Sequence, residues 1–315
     1  MKTKVYIDGK EGTTGLQIFE RFAGRDDLEI LLIDEDKRKD ANERKKLINA
    51  SDITFLCLPD AAAIEAAAMA ENPNVRIIDA STAHRVDPAW DYGFPELSAK
   101  HRAAIASSKR VANPGCYASG FISIVYPLVQ AGVLGEDYPL IAHAVSGYSG
   151  GGKKMIAAIE GPDKTEEMAS PRQYALTQSH KHLPEIQKVC GLKYKPMFNP
   201  IVDDYYAGMV VSVPLVTRAM AKSCTPADIR EILASHYECQ RFVKVMELGG
   251  KETLPDGFLA ANTLAGTNDM QLFVFGNDEQ ILICSRLDNL GKGASGAAIQ
   301  NMNIMLGLDE ATGLV

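Results

Sequence analysis

Residues 4–19 read Lys-Val-Tyr-Ile-Asp8-Gly9-Lys-Glu-Gly12-Thr13-Thr14-Gly15-Leu-Gln-Ile-Phe19, and this stretch decides the fold. Residues 4–8 form a short apolar run of the length of one buried strand. Glycines at 9, 12 and 15 interrupt it, and Leu16, Phe19 and Phe22 then recur at helical spacing. A strand that turns through glycines into a helix opens a βαβ unit. With no side chains in the turn, a phosphate can approach the first N–H groups of the helix, where the dipole favours negative charge. The spacing is G-x-x-G-x-x-G rather than the commoner G-x-G-x-x-G. A tight turn that simply needs glycine is therefore the competing reading.

Outward from this unit the pattern repeats. Residues 28–33 and 51–58 read as strands, the latter stopped by Pro59, and 75–79 as another; residues 61–70 are an alanine-rich helix. Strands alternating with helices predict a parallel sheet with right-handed crossovers. After about residue 115 the rhythm changes. A helix is expected over 117–131, strands over 139–145 and 209–216, and a hairpin of 271–275 with 280–286 around Gly276-Asn277-Asp278. Ala297, Ala298, Met302 and Met305 predict a helix over 292–306, packed back on the first domain. The expected class is α/β: a Rossmann-like, doubly wound dinucleotide-binding domain plus an α+β catalytic domain with a mixed, largely antiparallel sheet. The expected division is 1–115, completed by 288–315, and 116–287, the second domain also serving oligomerisation.

Composition narrows the classes. The chain has 315 residues, 46% hydrophobic and 23% charged, with a formal net charge of −7. That suits a globular protein with a substantial core and argues against nucleic acid as a partner. No run approaches the roughly 20 apolar residues of a membrane span, and the first fifteen residues do not read as a signal peptide. The six cysteines, at 57, 116, 190, 224, 239 and 284, include no C-x-x-C pair. No metal and no disulfide framework are expected, and a reducing cytoplasm is the expected compartment.

Three segments carry candidate chemistry. The second strand runs into Asp34-Glu35-Asp36-Lys37-Arg38-Lys39. An acid there would hold the ribose 2′-hydroxyl of NAD and a base the 2′-phosphate of NADP; both kinds are present. In Asn113-Pro114-Gly115-Cys116-Tyr117, Pro and Gly end a strand and place Cys116 at the start of an apolar helix. Unpaired N–H groups and the dipole there stabilise a thiolate, which is what a nucleophile requires. Cys57 and Cys284, inside apolar strands, read as core residues. In Ser179-His180-Lys181-His182-Leu183-Pro184-Glu185, Pro184 suits a first helical turn. His180 and His182 are weak as metal ligands, and a surface histidine is the plain alternative. With a cysteine nucleophile, His182 at the helix start is the favoured acid/base.

At this point the sequence resembles the short-form N-acetyl-gamma-glutamyl-phosphate reductases, among the aspartate-semialdehyde dehydrogenase-like reductases. The resemblance covers nearly the whole chain. It rests on the glycine turn, Asp79-Ala-Ser-Thr-Ala-His-Arg85, Asn113-Pro-Gly-Cys116-Tyr, Ser146-Gly-Tyr-Ser-Gly-Gly-Gly152, Gln178-Ser-His-Lys-His182-Leu-Pro-Glu and Asp288-Asn-Leu-Gly-Lys-Gly-Ala-Ser-Gly296. Longer members read Gly-Cys-Tyr-Pro-Thr where this chain has Gly115-Cys116-Tyr117-Ala118-Ser119.

The resemblance implies an arginine-biosynthetic enzyme that reduces an acyl phosphate through a thioester on Cys116, with His182 as acid/base. It implies NADP(H), held by Gly9, Gly12, Thr13, Thr14 and Gly15, near Lys37, Arg38 and Ser81. Ser146, Gly147, Asn289 and Gly293 are then expected near the nicotinamide. For the acyl phosphate and the phosphate released, the expected residues are Arg85, Asn113, Arg172 and Tyr174: Arg85 for phosphate and Arg172 for a carboxylate, paired bidentately. Members of the family are usually oligomeric, so the resemblance implies a homo-oligomer, a dimer or tetramer. The competing readings are a reductase of another acyl phosphate such as aspartyl phosphate, a cysteine hydrolase without nicotinamide, and a nucleotide-binding sensor without turnover.

Overall fold

The computed structural model describes residues 2–315, which divide into two units. Unit 1 comprises residues 1–115 with 294–315, and unit 2 comprises 116–293. The return thus falls at Gly293/Ala294, and residues 288–293 belong to unit 2.

In unit 1, β1 (Thr3–Asp8), α1 (Thr13–Arg21), β2 (Leu28–Leu31), α2 (Ala41–Ala50), β3 (Ile53–Leu56), α3 (Asp60–Ala68), β4 (Arg76–Asp79), β5 (Asp91–Tyr92), α4 (Ala99–Ser107) and β6 (Arg110–Ala112) follow in order. Their sheet has the order β2-β1-β3-β4-β6-β5, with every pairing parallel. Local chemistry sets the helix starts: Asp40 caps α2 by accepting the Asn42 and Glu43 N–H groups, and Ser98 caps α4 through the His101 N–H. The C-terminal helix (Gly296–Leu306) places Ala298, Ile299, Met302 and Met305 in one core with Val5, Ile7, Ile18, Phe55, Ile78 and Val111. Burying each large aliphatic side chain here contributes roughly 1.5–3 kcal/mol.

Several boundaries differ from the sequence reading by a residue or two, β3 at both ends among them, and two differences have a visible cause. Pairing of β2 stops at Leu31 rather than residue 33; Leu32 is 61% exposed, so its side chain has no core to hold it in register. The C-terminal helix starts at Gly296 rather than 292, because Gly291–Ser295 forms a π-helical turn before it.

In unit 2, α5 (Cys116–Gln130), β7 (Ile141–Gly147), α6 (Gly152–Glu160), β8 (Arg172–Gln173), α7 (Leu183–Cys190), β9 (Met197–Asp203), β10 (Met209–Val216), α8 (Pro226–His236), β11 (Val243–Val245), β12 (Met270–Gly276) and β13 (Gln280–Leu287) follow. Their seven-stranded sheet runs β11-β12-β13-β10-β7-β9-β8. It is mixed: β7/β9 and β11/β12 pair in parallel and the other four pairings are antiparallel. Helix α5 is almost wholly buried and lies close on the sheet, since a Cβ on Gly120 would stand 2.6 Å from a methyl of Val211. Thr225 and Asp228 form a capping box that starts α8. Among the described residues no helix is long and apolar enough to cross a membrane.

Candidate active site

The strand order of unit 1 reverses at β1, which has β2 on one side and β3 on the other. In open α/β sheets the crevice at such a switch point takes the ligand. The glycine turn sits there. Gly9 has φ +86°, and a Cβ on it would lie 2.4 Å from the Cys57 carbonyl oxygen. A Cβ on Gly15 would lie 2.5 Å from the Gly9 carbonyl oxygen, so strand and helix close up only with glycine at both positions. Gly12 caps α1 with no side chain, leaving the first N–H groups of α1 without a side-chain cap. The Thr13 hydroxyl is buried without a hydrogen-bond partner. An uncapped helix start beside an orphaned hydroxyl fits the pyrophosphate of a dinucleotide.

Next to this turn, Asp8 is buried and receives the Arg44 guanidinium at 2.8 Å from Nη2 and 3.1 Å from Nε. This pair fixes the end of β1 to α2. Lys37 bonds Asp34 at 2.9 Å, and Arg38 stands 3.8 Å from Glu35, all four side chains being exposed. Ser81 donates its N–H and hydroxyl to Asp79 at 2.9 and 2.7 Å, and His84 Nδ1 lies 2.6 Å from the same carboxylate, its ring stacked on Trp90. Arg85 donates to the carbonyls of Asn113 and Ala80, while the Asn113 side chain donates to the Ala294 carbonyl and accepts from Asn301.

In unit 2, Cys116 is the first residue of α5 and partly exposed. Its thiol therefore sits among the orphan N–H groups of a helix start. Tyr117 is the hub beside it. Its ring centroid is 5.9 Å from that of His182, 6.1 Å from His180 and 5.4 Å from Phe198. Its hydroxyl shares a 3.0 Å hydrogen bond with that of Tyr174 and another with Ser146. Burial pushes the Tyr117 phenol well above its usual range and the Tyr174 phenol up to about 12, so both stay neutral around pH 7.

His182, 5% exposed, is the N-cap of α7, with Pro184 in the first turn. Strand β8 pairs Arg172 with Val202, and the ladder runs on to Tyr174, whose N–H bonds the Pro200 carbonyl. Residues 172 and 174 thus project to one side. Arg172 Nε is buried without a hydrogen-bond partner, a donor available to an anion. Asn289 accepts the Gly208 N–H at 2.8 Å and donates to Ser149 at 2.9 Å, tying three loops together. Gly147 approaches the Tyr205 and Tyr206 carbonyls so closely that a Cβ would stand 2.6 Å from each. A thiol at a helix start with an imidazole one ring away can carry out acyl transfer.

The chain resembles known proteins over nearly its whole length. Residues 4–105 match the NAD binding domain of semialdehyde dehydrogenase, and residues 116–289 its dimerisation domain. The chain is 46% identical, over 99% of both chains, to N-acetyl-gamma-glutamyl-phosphate reductase 2 of Nostoc sp., and 49% identical, over 96% of both, to N-acetyl-gamma-glutamyl-phosphate reductase of Burkholderia lata. The chain belongs to the semialdehyde dehydrogenase family, among the N-acetyl-gamma-glutamyl-phosphate reductases. The aspartate semialdehyde dehydrogenase of Francisella tularensis has the same fold, with a TM-score of 0.73 over 96% of this chain and 100% of that one, at 14% identity.

In this member of the family, unit 2 brings Cys116, His182, Tyr174 and Ser146 around one tyrosine, sets Gly293 against Cys116, and keeps Asn289 and Gly147 in the supporting loops. Unit 1 gathers Gly9, Gly12, Thr13 and Gly15 at the switch point, while Ser81, Arg85 and Asn113 are engaged by Asp79 and by backbone carbonyls. The sequence reading passed over Tyr117, the Asp8–Arg44 pair and Asp79. Tyr117 and Asp79 stand inside quoted motifs, but only tertiary packing reveals what they hold.

Proposed function

We propose that the chain reduces N-acetyl-L-glutamyl 5-phosphate to N-acetyl-L-glutamate 5-semialdehyde and phosphate, in arginine biosynthesis, with NADPH as reductant. The observation that carries this reading is Cys116 at the start of α5, with the Tyr117 ring bridging it to His182. The relatives' names supply the substrate.

The Cys116 thiolate attacks the acyl carbon; the C–S bond forms, the C–O bond to phosphate breaks, and a thioester remains. N–H groups in the first turn of α5 hold the developing oxyanion, each donor contributing a few kcal/mol. Gly9–Gly15 would hold the nicotinamide cofactor, and Lys37 and Arg38 would take its 2′-phosphate; the chemistry it would supply there is hydride donation. His182 protonates the resulting oxygen and takes the proton back as the C–S bond breaks, which returns Cys116 as thiolate. Arg172, with its available Nε, pairs the substrate carboxylate beside Tyr174; Arg85 is assigned to phosphate.

We assign the enzyme to the cytoplasm as a homo-oligomer, a dimer or tetramer. Ile141, Met197 and Leu282 stand 38%, 62% and 38% exposed on the sheet face opposite α5, an apolar surface for a second copy. Light scattering tests this, and a monomer at assay concentration contradicts it.

The function is tested by phosphate-dependent reduction of NADP and of NAD with N-acetylglutamate semialdehyde, using wild type and Cys116→Ser. NADP reduction that the variant loses supports the reading. Faster turnover of aspartate semialdehyde would replace the substrate while leaving the cysteine chemistry intact.

A further inference from the structure

We propose that His180 is a positioning residue: its neutral ring holds the backbone of His182 in place and releases it on protonation. The proposal deepens the reading above and rests on His182 as the proton carrier.

His180 Nδ1 lies 3.2 Å from the backbone N of His182 and accepts its N–H. An imidazole nitrogen can accept only when it carries no proton, so this bond requires the neutral tautomer protonated at Nε2. His182 is the N-cap of α7, and its own N–H lies outside the helix ladder. The side chain two residues upstream takes that donor and fixes where α7, and with it the His182 ring, begins.

The His180 ring is itself seated from several sides. Its centroid is 4.7 Å from Phe198 on β9, 6.0 Å from Tyr174, 6.1 Å from Tyr117, and 4.7 Å from His182 at 86°. Gln178, at φ +57°, fastens the segment to β9: its amide donates to the Phe198 carbonyl and accepts the Phe198 N–H, each at 2.8 Å. Of the titratable groups, Tyr117 (with Cys116 beside it on α5), Tyr174 and His182 pack on the ring, Lys181 shares its segment, and Glu185 stands in the first turn of α7. Protonating His180 would turn Nδ1 into a donor facing another donor, and would put a positive ring 4.7 Å from His182, where like charges oppose each other.

The test is kcat against pH for phosphate-dependent oxidation of N-acetylglutamate semialdehyde, the direction in which His182 takes up the hydroxyl proton at the oxidation step. Wild type, His180→Ala, His180→Asn and His182→Asn are compared. Removing the acceptor in His180→Ala lowers kcat about tenfold or more at pH 7.5, the equivalent of one positioning hydrogen bond. An asparagine oxygen accepts an N–H two residues on and does not titrate. His180→Asn therefore recovers most of that loss, and its acid limb moves to lower pH than that of wild type. The proposal is overturned if the His180→Asn limb superimposes on wild type, or if His180→Ala matches wild type while His182→Asn collapses kcat. If His182→Asn keeps full kcat, it is the assignment of His182 that falls. Should His180→Ala fail to fold, the His180→Asn profile decides alone.

Discussion

Gly293 packs directly on Cys116, the proposed nucleophile: a Cβ at this position would stand 2.7 Å from the Cβ of Cys116 and 3.0 Å from the Asp288 carbonyl oxygen. Neither neighbour is the end of a flexible side chain, so a methyl group must displace the first residue of α5 or the 288–293 segment. Gly293→Ala is expected to lower kcat about 10- to 100-fold, the scale on which misplacing a reacting group costs rate. It is also expected to slow iodoacetamide labelling of Cys116 while leaving the circular dichroism unchanged. Wild-type kcat in this variant contradicts the account.

Lys37 and Arg38 are engaged with Asp34 and Glu35, but as exposed pairs that cost little to part. A 2′-phosphate can therefore take both cations from their carboxylates. The Lys37→Ala/Arg38→Ala double variant is expected to raise KM for NADP about tenfold and to leave KM for NAD within about twofold. Equal effects on the two cofactors place the 2′-phosphate elsewhere.

The phenol pair predicts an alkaline limb of stability. Burial raises the Tyr174 phenol to about 12 in the folded chain, against about 10 when unfolded. The folded state then holds its proton more tightly. This contribution is fully present below pH 10 and is lost as pH rises from 10 through 12. Tyr174→Phe removes the phenol that titrates, and urea unfolding at pH 9 and pH 11 should show a shallower loss than in wild type, by about 1 kcal/mol. An unchanged slope sinks this assignment.

The first βα unit was legible because glycine spacing and apolar period report the same local geometry in sequence and structure. Short strands were not. β5 and β8 have two residues each and exist only through the neighbours they pair with. β9 escaped because Pro200 interrupts its pattern, although it pairs in register with Ala144 of β7. The helix starts at Cys116 and His182 were readable because Pro or Gly announces each. Arg44 carried no such signal, since its partner Asp8 is 36 residues away. Asn289 stood out by motif, but that its amide joins the loops at 149 and 208 could not be read from the chain.

The central claim is the thioester on Cys116, and mass spectrometry of the enzyme stalled without phosphate tests it most directly. With N-acetylglutamate 5-semialdehyde and NADP supplied and phosphate omitted, the account predicts a burst of about one NADPH per active site. It also predicts an N-acetylglutamyl mass on the peptide carrying Cys116, discharged when phosphate is added. A full burst with no adduct on that peptide, or an adduct on any other residue, contradicts it.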